Sequence, residues 1–333
     1  MIPALTSRGQ ERTAPSNNEM LACLYLIASA VLAAYALLWV RSRRARALLA
    51  NLPSNPQLPF IGNMLQFCGG GKFIFRQIDQ MSVISDEKMQ PFVFWIGQYP
   101  VLLCHDPDDV RTIANNLIEK PYYYNFGKIW LGDGLVTAPV WKQNVKKLAS
   151  VFSTSVVEGY QSVFNAQAQS LVDSLKSKEG SQPFDVMHYL ARTTLEAICH
   201  AALGVARISD SVETEEYYQA FNRCLEMFIS RGLNLLMHFD FVYNRTPAHK
   251  ELARNVRVLH RVSDMVSINI QFRSVLDILL DISESDPLFT EQQIKSEVDT
   301  IILGGQETVA TTIFFTLLML GCRPKVQNKL YEE

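Results

Sequence analysis

Residues 290–321, TEQQIKSEVDTIILGGQETVATTIFFTLLMLG, decide the fold. They read as one long helix. Thr290 and Gln293 have capping-box spacing, with Thr290 as N-cap and Gln293 reaching back to its backbone N–H. Gly321 suits the position after the last helical residue, and Pro324 follows it. About thirty residues at ~1.5 Å each give roughly 45 Å, enough to cross a domain. Past its charged first turns the stretch is apolar all round, which predicts burial on every side.

The middle of this helix is intrinsically weak. Gly304 and Gly305 together cost about 2 kcal/mol of propensity relative to Ala. Thr308, Val309, Thr311 and Thr312 add β-branched stiffness. Glu307 places a carboxylate in an apolar run, where burial without a partner is costly. Gly304 and Thr308, four apart, share a face, with Glu307 beside them. Two readings stay open for this groove. One is close packing against another helix, with Glu307 in an ion pair. The other is a helix opened to a small ligand, with an alcohol and an acid to move protons.

The run GGQETVATT resembles the central-helix motif of the cytochrome P-450 superfamily, the haem-thiolate monooxygenases. The match lies at Gly304, Gly305, Glu307 and Thr308, with Val309 at the last place. The resemblance implies a mainly α fold with a small β-rich lobe and haem b, an iron cofactor, beside this helix. Glu307 and Thr308 would be catalytic, acting in proton delivery. Gly304 and Gly305 would face the cofactor, and Leu303 the substrate.

Composition agrees with a globular chain that has a membrane segment. The net charge of −2 and the lack of a basic stripe with interleaved aromatics exclude a nucleic-acid binder. Six scattered cysteines without a CxxC suggest reduced thiols. There is no HExxH and no Cys/His cluster, so a zinc site is not expected.

Residues 1–19 are polar. Residues 20–40, MLACLYLIASAVLAAYALLWV, carry no charge and are long enough to span roughly 30 Å of hydrocarbon. Arg41, Arg43, Arg44 and Arg46 follow, so the positive-inside rule keeps the rest cytosolic and residues 1–19 lumenal. Residues 41–71 are basic, then Pro-rich. Pro53, Pro56 and Pro59 forbid a helix and predict a stiff spacer. The segment resembles the hinge of microsomal P-450s, with Pro59, Ile61, Gly62 and Asn63 as the Pro-x-Ile-Gly-Asn entry. From 72 onward we expect a partial catalytic domain ending just after the central helix.

Within that domain, residues 91–104 read as a hairpin with its turn at Gly97–Pro100. Asp106 is then an N-cap with Pro107 at the first helical position. Residues 122–139, YYYNFGKIWLGDGLVTAP, read as an aromatic, Gly-rich loop. They resemble the stretch before the family's third helix, including the Leu-Gly-Asp-Gly-Leu run at 131–135. Tyr123, Tyr124 and Phe126 are then substrate-pocket candidates, with local aromatic packing as the alternative. Trp141 resembles the family's propionate-binding Trp. The Arg expected four residues later is Val145, which leaves Lys146 to substitute, or Lys142, Lys146 and Lys147 as a solvated face or docking patch. Amphipathic helices are expected at 155–178, 184–204, 214–232, 247–271 and 273–282, with an acidic connector at 204–216.

The chain stops inside a helix begun after Gly321. By resemblance it covers the N-terminal two-thirds of a family member, truncated before the haem-binding Cys loop. The hinge, the 131–135 run and the helix at Asp277 resemble the microsomal family 4 branch, particularly insect members. Gly304 stands where that branch carries a haem-bonding Glu, so no covalent haem ester is expected. The resemblance implies an endoplasmic-reticulum monooxygenase acting on a lipophilic small molecule, with electrons from NADPH-cytochrome P-450 reductase. Other classes kept in view are a non-catalytic, membrane-anchored helical fragment and a single-pass receptor, the latter disfavoured by the arginines.

Overall fold

A computed structural model describes residues 17–117, 119–139, 141–204, 214–264, 274–287 and 289–332. Parts of the polar N-terminal stretch, the acidic connector and the helix expected to run to 271 lie outside the described residues. The chain divides into two compact units, residues 1–112 and 113–333.

The first unit contains α1 (Asn17–Leu49), α2 (Gly71–Lys88), β1 (Phe92–Ile96), β2 (Tyr99–Leu103) and the start of α3 (Pro107–Asn116). Within α1, Met20–Leu49 is long and apolar enough to cross a membrane. β1 and β2 pair antiparallel, Phe92 opposite Leu103 and Ile96 opposite Tyr99, which confirms the hairpin. Asp106 caps α3 as expected, its Oδ1 accepting from the N–H groups of Asp108 (2.9 Å) and Asp109 (3.1 Å).

The Pro-rich segment is not a free spacer. Val93 N–H donates to Pro53 O at 2.8 Å, and Asn63 stitches the segment to the hairpin. Asn63 is 1% exposed. Its Oδ1 accepts from Trp95 N–H (2.8 Å), and its Nδ2 donates to Pro56 O (2.9 Å). Prolines that cannot donate to a ladder leave their carbonyls to accept, so the segment serves as an irregular edge. The arginine cluster is likewise partly engaged: Arg46 lies over the Trp95 ring at 4.3 Å and donates to Gln98 Oε1 at 2.7 Å.

The second unit is helical. It contains α4 (Lys128–Leu131), α5 (Trp141–Leu148), α6 (Thr154–Gly159), α7 (Gln161–Lys176), α8 (Met187–Leu203), α9 (Thr214–Leu233) and α10 (Asp240–Tyr243). They are followed by α11 (Pro247–Ser263), α12 (Val275–Ser285), α13 (Glu291–Gly321) and α14 (Pro324–Glu332). The expected loop at 122–139 is partly helical, a 3₁₀ turn at Tyr122–Gly127 running into α4. A single apolar core runs through α4, α8, α9, α11, α12 and α13, with Leu195, Phe221, Leu252, Leu279 and Ile302 almost fully buried.

α13 matches the predicted helix closely, and three details differ. Thr290 Oγ1 accepts from Gln293 N–H at 3.3 Å, but the Gln293 amide turns away to donate to Asp133 O (2.9 Å) and Glu297 Oε1 (2.7 Å). A capping box with both bonds appears instead on α12, between Ser274 and Asp277. Gly321 is the last helical residue rather than a left-handed terminator, and Cys322, at φ −79°, closes the helix. Burial is complete from Ser296 to Thr300 but ends after Ala310, where Phe315, Leu318 and Met319 stand about half exposed. Phe315 and Met319 border a shallow hollow shared with Arg323 and Val326 of the following segment.

Candidate active-site region

The site is built where the 120–138 segment meets α13. Two glycines permit the approach. A Cβ on Gly132, whose φ is +52°, would sit 2.1 Å from Ser296 Oγ. One on Gly134 would sit 2.3 Å from Thr300 Oγ1 and 2.4 Å from Ser296 O. Backbone therefore lies directly on helix.

Buried charges lock this contact. Glu297 is 0% exposed. Its carboxylate accepts from Leu135 N–H (2.9 Å), Asn144 Nδ2 (3.0 Å) and Gln293 Nε2 (2.7 Å). Lys120 Nζ donates to Leu135 O and, at 2.6 Å, to Val136 O. Leu135 is thus held by an anion at its N–H and a cation at its carbonyl. Burial raises the Glu297 carboxyl above its ordinary range, against the pull of its three donors and Lys120. Burial also lowers the Lys120 ammonium, which Glu297 partly restores.

Beneath this lock lies a cavity of about 370 Å³. Tyr123, Tyr124, Phe126 and Leu303, the four pocket candidates, all line it, together with Trp130 and Phe228. Tyr123 and Tyr124 stack with ring centroids 5.5 Å apart, and burial raises the Tyr123 phenol above its ordinary value. Trp130 and Phe228 stack at 6.2 Å, making an aromatic wall. The aromatics pack on each other, as the local-packing reading expects, and they also line a cavity.

The two glycines of α13 part company. A Cβ on Gly305 would lie 2.6 Å from Ile198 side-chain atoms, so Gly305 permits close packing of α13 on α8 and is spent there. A Cβ on Gly304 would meet nothing within 4 Å. Gly304, Thr308 and Thr312 form an exposed stripe, while Leu303, Glu307 and Thr311 form a half-buried one beside it. Thr308 Oγ1 donates to Gly304 O at 2.6 Å, which leaves its oxygen lone pairs outward. Glu307 Oε1 accepts from Thr311 Oγ1 at 3.5 Å, and among the described residues it has no ion pair. Gly305 thus packs as the helix-packing reading expects, without the Glu307 ion pair, while Gly304, about 100° further round the helix, stays bare among the described residues.

Trp141 is half-buried at the start of α5, and Val145 and Lys146 are exposed further along it. Lys147 instead pairs with Asp286 at 2.6 Å. Cys199 and Cys224 are buried in the core, and burial pushes both thiols up, Cys224 to about 12. Neither lies on the open face of α13.

Comparison with known proteins agrees with this arrangement. Residues 52–333 match the family described as Cytochrome P450.

The chain belongs to the cytochrome P450 family.

It is 28% identical over 321 residues to "Cytochrome P450 4c21" of Blattella germanica, covering 88% of this chain and 63% of that protein. It is 26% identical over 325 residues to "Cytochrome P450 4c3" of Drosophila melanogaster, covering 87% of this chain and 61% of that protein. Human "Cytochrome P450 4V2" matches at 26% over 304 residues, covering 83% and 57% respectively. The chain thus spans about three-fifths of the length of the curated relatives it matches. The family 4 resemblance is upheld by insect and mammalian relatives alike. The observed architecture, mainly helical with one small antiparallel hairpin, is that of the P450 fold.

Sequence reading missed Glu297 and Lys120 as organising residues. Glu297 could have been found as a carboxylate at the start of the long apolar run. Its partners lie 153 and 162 positions away in sequence, at Asn144 and Leu135, and no local pattern reveals them.

Proposed function

We propose that the chain forms the membrane anchor, substrate cavity and oxygen-side wall of a haem-thiolate monooxygenase of the endoplasmic-reticulum membrane. The whole protein would insert oxygen from O2 into a lipophilic small molecule, with electrons from an NADPH-cytochrome P450 reductase. The observation that carries this reading is a core helix opened on one face. Leu303 lines an aromatic cavity, and Glu307 and Thr308 stand on the next turn, half-buried and exposed.

The residues present fit one side of haem b. Gly304 offers a bare surface that nothing approaches within 4 Å among the described residues. Trp141 and Lys146 on α5 are placed in the proposal at its carboxylate edge. Cys199 and Cys224, buried in the core with their thiols pushed up, would not suit a thiolate ligand to that group. When bound, the group supplies oxygen activation. The chain's own part is proton handling: the Thr308 hydroxyl holds a hydrogen-bonding site at the open face, and the Glu307 carboxyl lies one residue away to exchange its proton with solvent. The aromatic wall excludes water from the same volume.

A second reading, a membrane-anchored scaffold without catalysis, draws on Val145 and the exposed Lys146, which give α5 no Arg clamp. One pair of measurements separates the two. The reduced, CO-bound difference spectrum of the whole protein should show a thiolate-type Soret band, and its absence favours the scaffold. In that protein, Thr308→Ala should retain the band but lower product formed per NADPH consumed about tenfold. Unchanged coupling would refute the role given to Thr308.

A further inference from the structure

One wall of the aromatic cavity, Phe126, is held from behind by polar residues that do not line the cavity themselves. Its ring is 7% exposed. The Arg231 guanidinium lies over one face at 4.0 Å, and the His238 and Tyr122 rings meet it edge-on at 5.2 and 6.1 Å. Arg231 stands near the end of α9. His238 closes a 3₁₀ turn, Leu235–His238, between α9 and α10.

That turn is braced onto α9. Arg231 Nε donates to Met237 O at 3.0 Å, and His238 Nε2 donates to Gly232 O at 2.8 Å. A carbonyl only accepts, so Nε2 carries the hydrogen. In the neutral imidazole Nδ1 is then the acceptor, and Tyr122 Oη–H donates to it at 2.6 Å. This bond joins residues 116 positions apart. It ties the Tyr122–Gly127 turn, which brings Tyr123, Tyr124 and Phe126 to the cavity, to the end of α9, which brings Ile229 and Gly232. Tyr122 is 41% exposed, so water could satisfy its hydroxyl as well. The consequence of the bond is therefore where it holds the turn, not the rescue of a buried polar group.

We propose that Tyr122 and His238 are a positioning pair, which fixes the Phe126 ring and so sets the width of ligand that the aromatic cavity accepts. Arg231 backs one face of the ring, and the pair keeps the turn from swinging away from α9. A wall held by packing and hydrogen bonds behind it selects by shape, whereas a loose wall yields to a wider ligand. The proposal rests on the reading of this cavity as the substrate cavity.

The test uses the full chain in detergent, labelled with ¹⁵N-tryptophan. The Trp130 indole signal, assigned by its loss in Trp130→Phe, reports ligand in the cavity that Trp130 lines. Naphthalene and adamantane, a flat and a globular neutral hydrocarbon, are the probes. Tyr122→Phe removes the donor oxygen and keeps the ring, and His238→Ala removes the acceptor. In both, the affinity for adamantane relative to naphthalene should rise at least fivefold. Tyr122→Phe should melt as the parent does, so it decides the matter even where His238→Ala fails to fold. Glu251→Ala, which breaks the ion pair to Arg223 on α9 (2.7 Å) and lies outside the cavity lining, should leave the ratio unchanged. Saturable binding with the parent ratio in Tyr122→Phe overturns this proposal alone, as does an equal rise in Glu251→Ala. No saturable Trp130 shift in the parent with either probe overturns it together with the substrate-cavity reading.

Discussion

Replacing Glu297 tests how the pocket wall is held. Its carboxylate accepts from three donors on the 135 loop, α5 and α13 while fully buried. Glu297→Ala strands Leu135 N–H and the Asn144 amide. Gln293 is less affected, because its amide also donates to Asp133 O. It also leaves Lys120 with no counter-charge. An unsatisfied buried donor costs about 1–3 kcal/mol, and breaking one side of a buried charged network costs about 3–5 kcal/mol. Two stranded donors and a cation already lowered by burial put the loss at about 3 kcal/mol. Glu297→Gln keeps an acceptor for Asn144 and Gln293 but turns an N–H toward Leu135 N–H. It should cost roughly 1 kcal/mol, the order of one hydrogen bond lost at Leu135. Urea unfolding of the second unit gives the global values. Hydrogen exchange at 132–138 gives the local ones, and protection there should fall most in the Ala variant. A Glu297→Ala midpoint within about 0.5 kcal/mol of the parent, with exchange at 132–138 unchanged, would refute the reasoning.

Two further outcomes follow from the same helix. Gly305→Ala should destabilise by about 1–3 kcal/mol, because its Cβ would lie 2.6 Å from Ile198, whereas Gly304→Ala should stabilise by about 1 kcal/mol; equal effects in urea melts would contradict the assignment of faces. Asp299, 4% exposed and facing His260 Nε2 at 3.4 Å, Lys295 and Asp264, has its carboxyl pushed up from 3.8 to about 6 by burial. The folded chain therefore binds that proton more tightly than the unfolded one. The resulting stabilisation is full below about pH 3.8 and is lost as pH rises through about 6, so Asp299→Asn should flatten the stability–pH slope across that window.

The parts of the fold written locally were legible. The start of α13 follows from Thr290, the start of α3 from Asp106, and the hairpin from alternation about Gly97. Errors arose where a local rule met a distant partner. Gln293 fits a capping box, but Asp133 and Glu297 offer its amide better acceptors. The prolines at 53, 56 and 59 do forbid helix, but extended chain with free carbonyls pairs with a nearby hairpin rather than standing off as a spacer. The pocket candidates at 123, 124, 126 and 303 converge on one cavity, and the resemblance placed them there without giving a reason. That reason lies in Gly132 and Gly134, which let the intervening loop press onto Ser296 and Thr300.

The weak middle of α13 then has a physical account. Adjacent glycines on one helix point about 100° apart, so they serve two surfaces at once. Gly305 gives up about 1 kcal/mol of propensity and lets α13 reach α8, where Ile198, Leu195 and Ile302 fill the core. Gly304 gives up a similar amount, and among the described residues nothing approaches it within 4 Å. Its neighbours on α13 are the Thr308 hydroxyl, the Glu307 carboxyl and Leu303, which lines the aromatic cavity. The two glycines therefore do not act as a unit: Gly305 serves the packing of α13 on α8, and Gly304 lies on the face that is bare among the described residues.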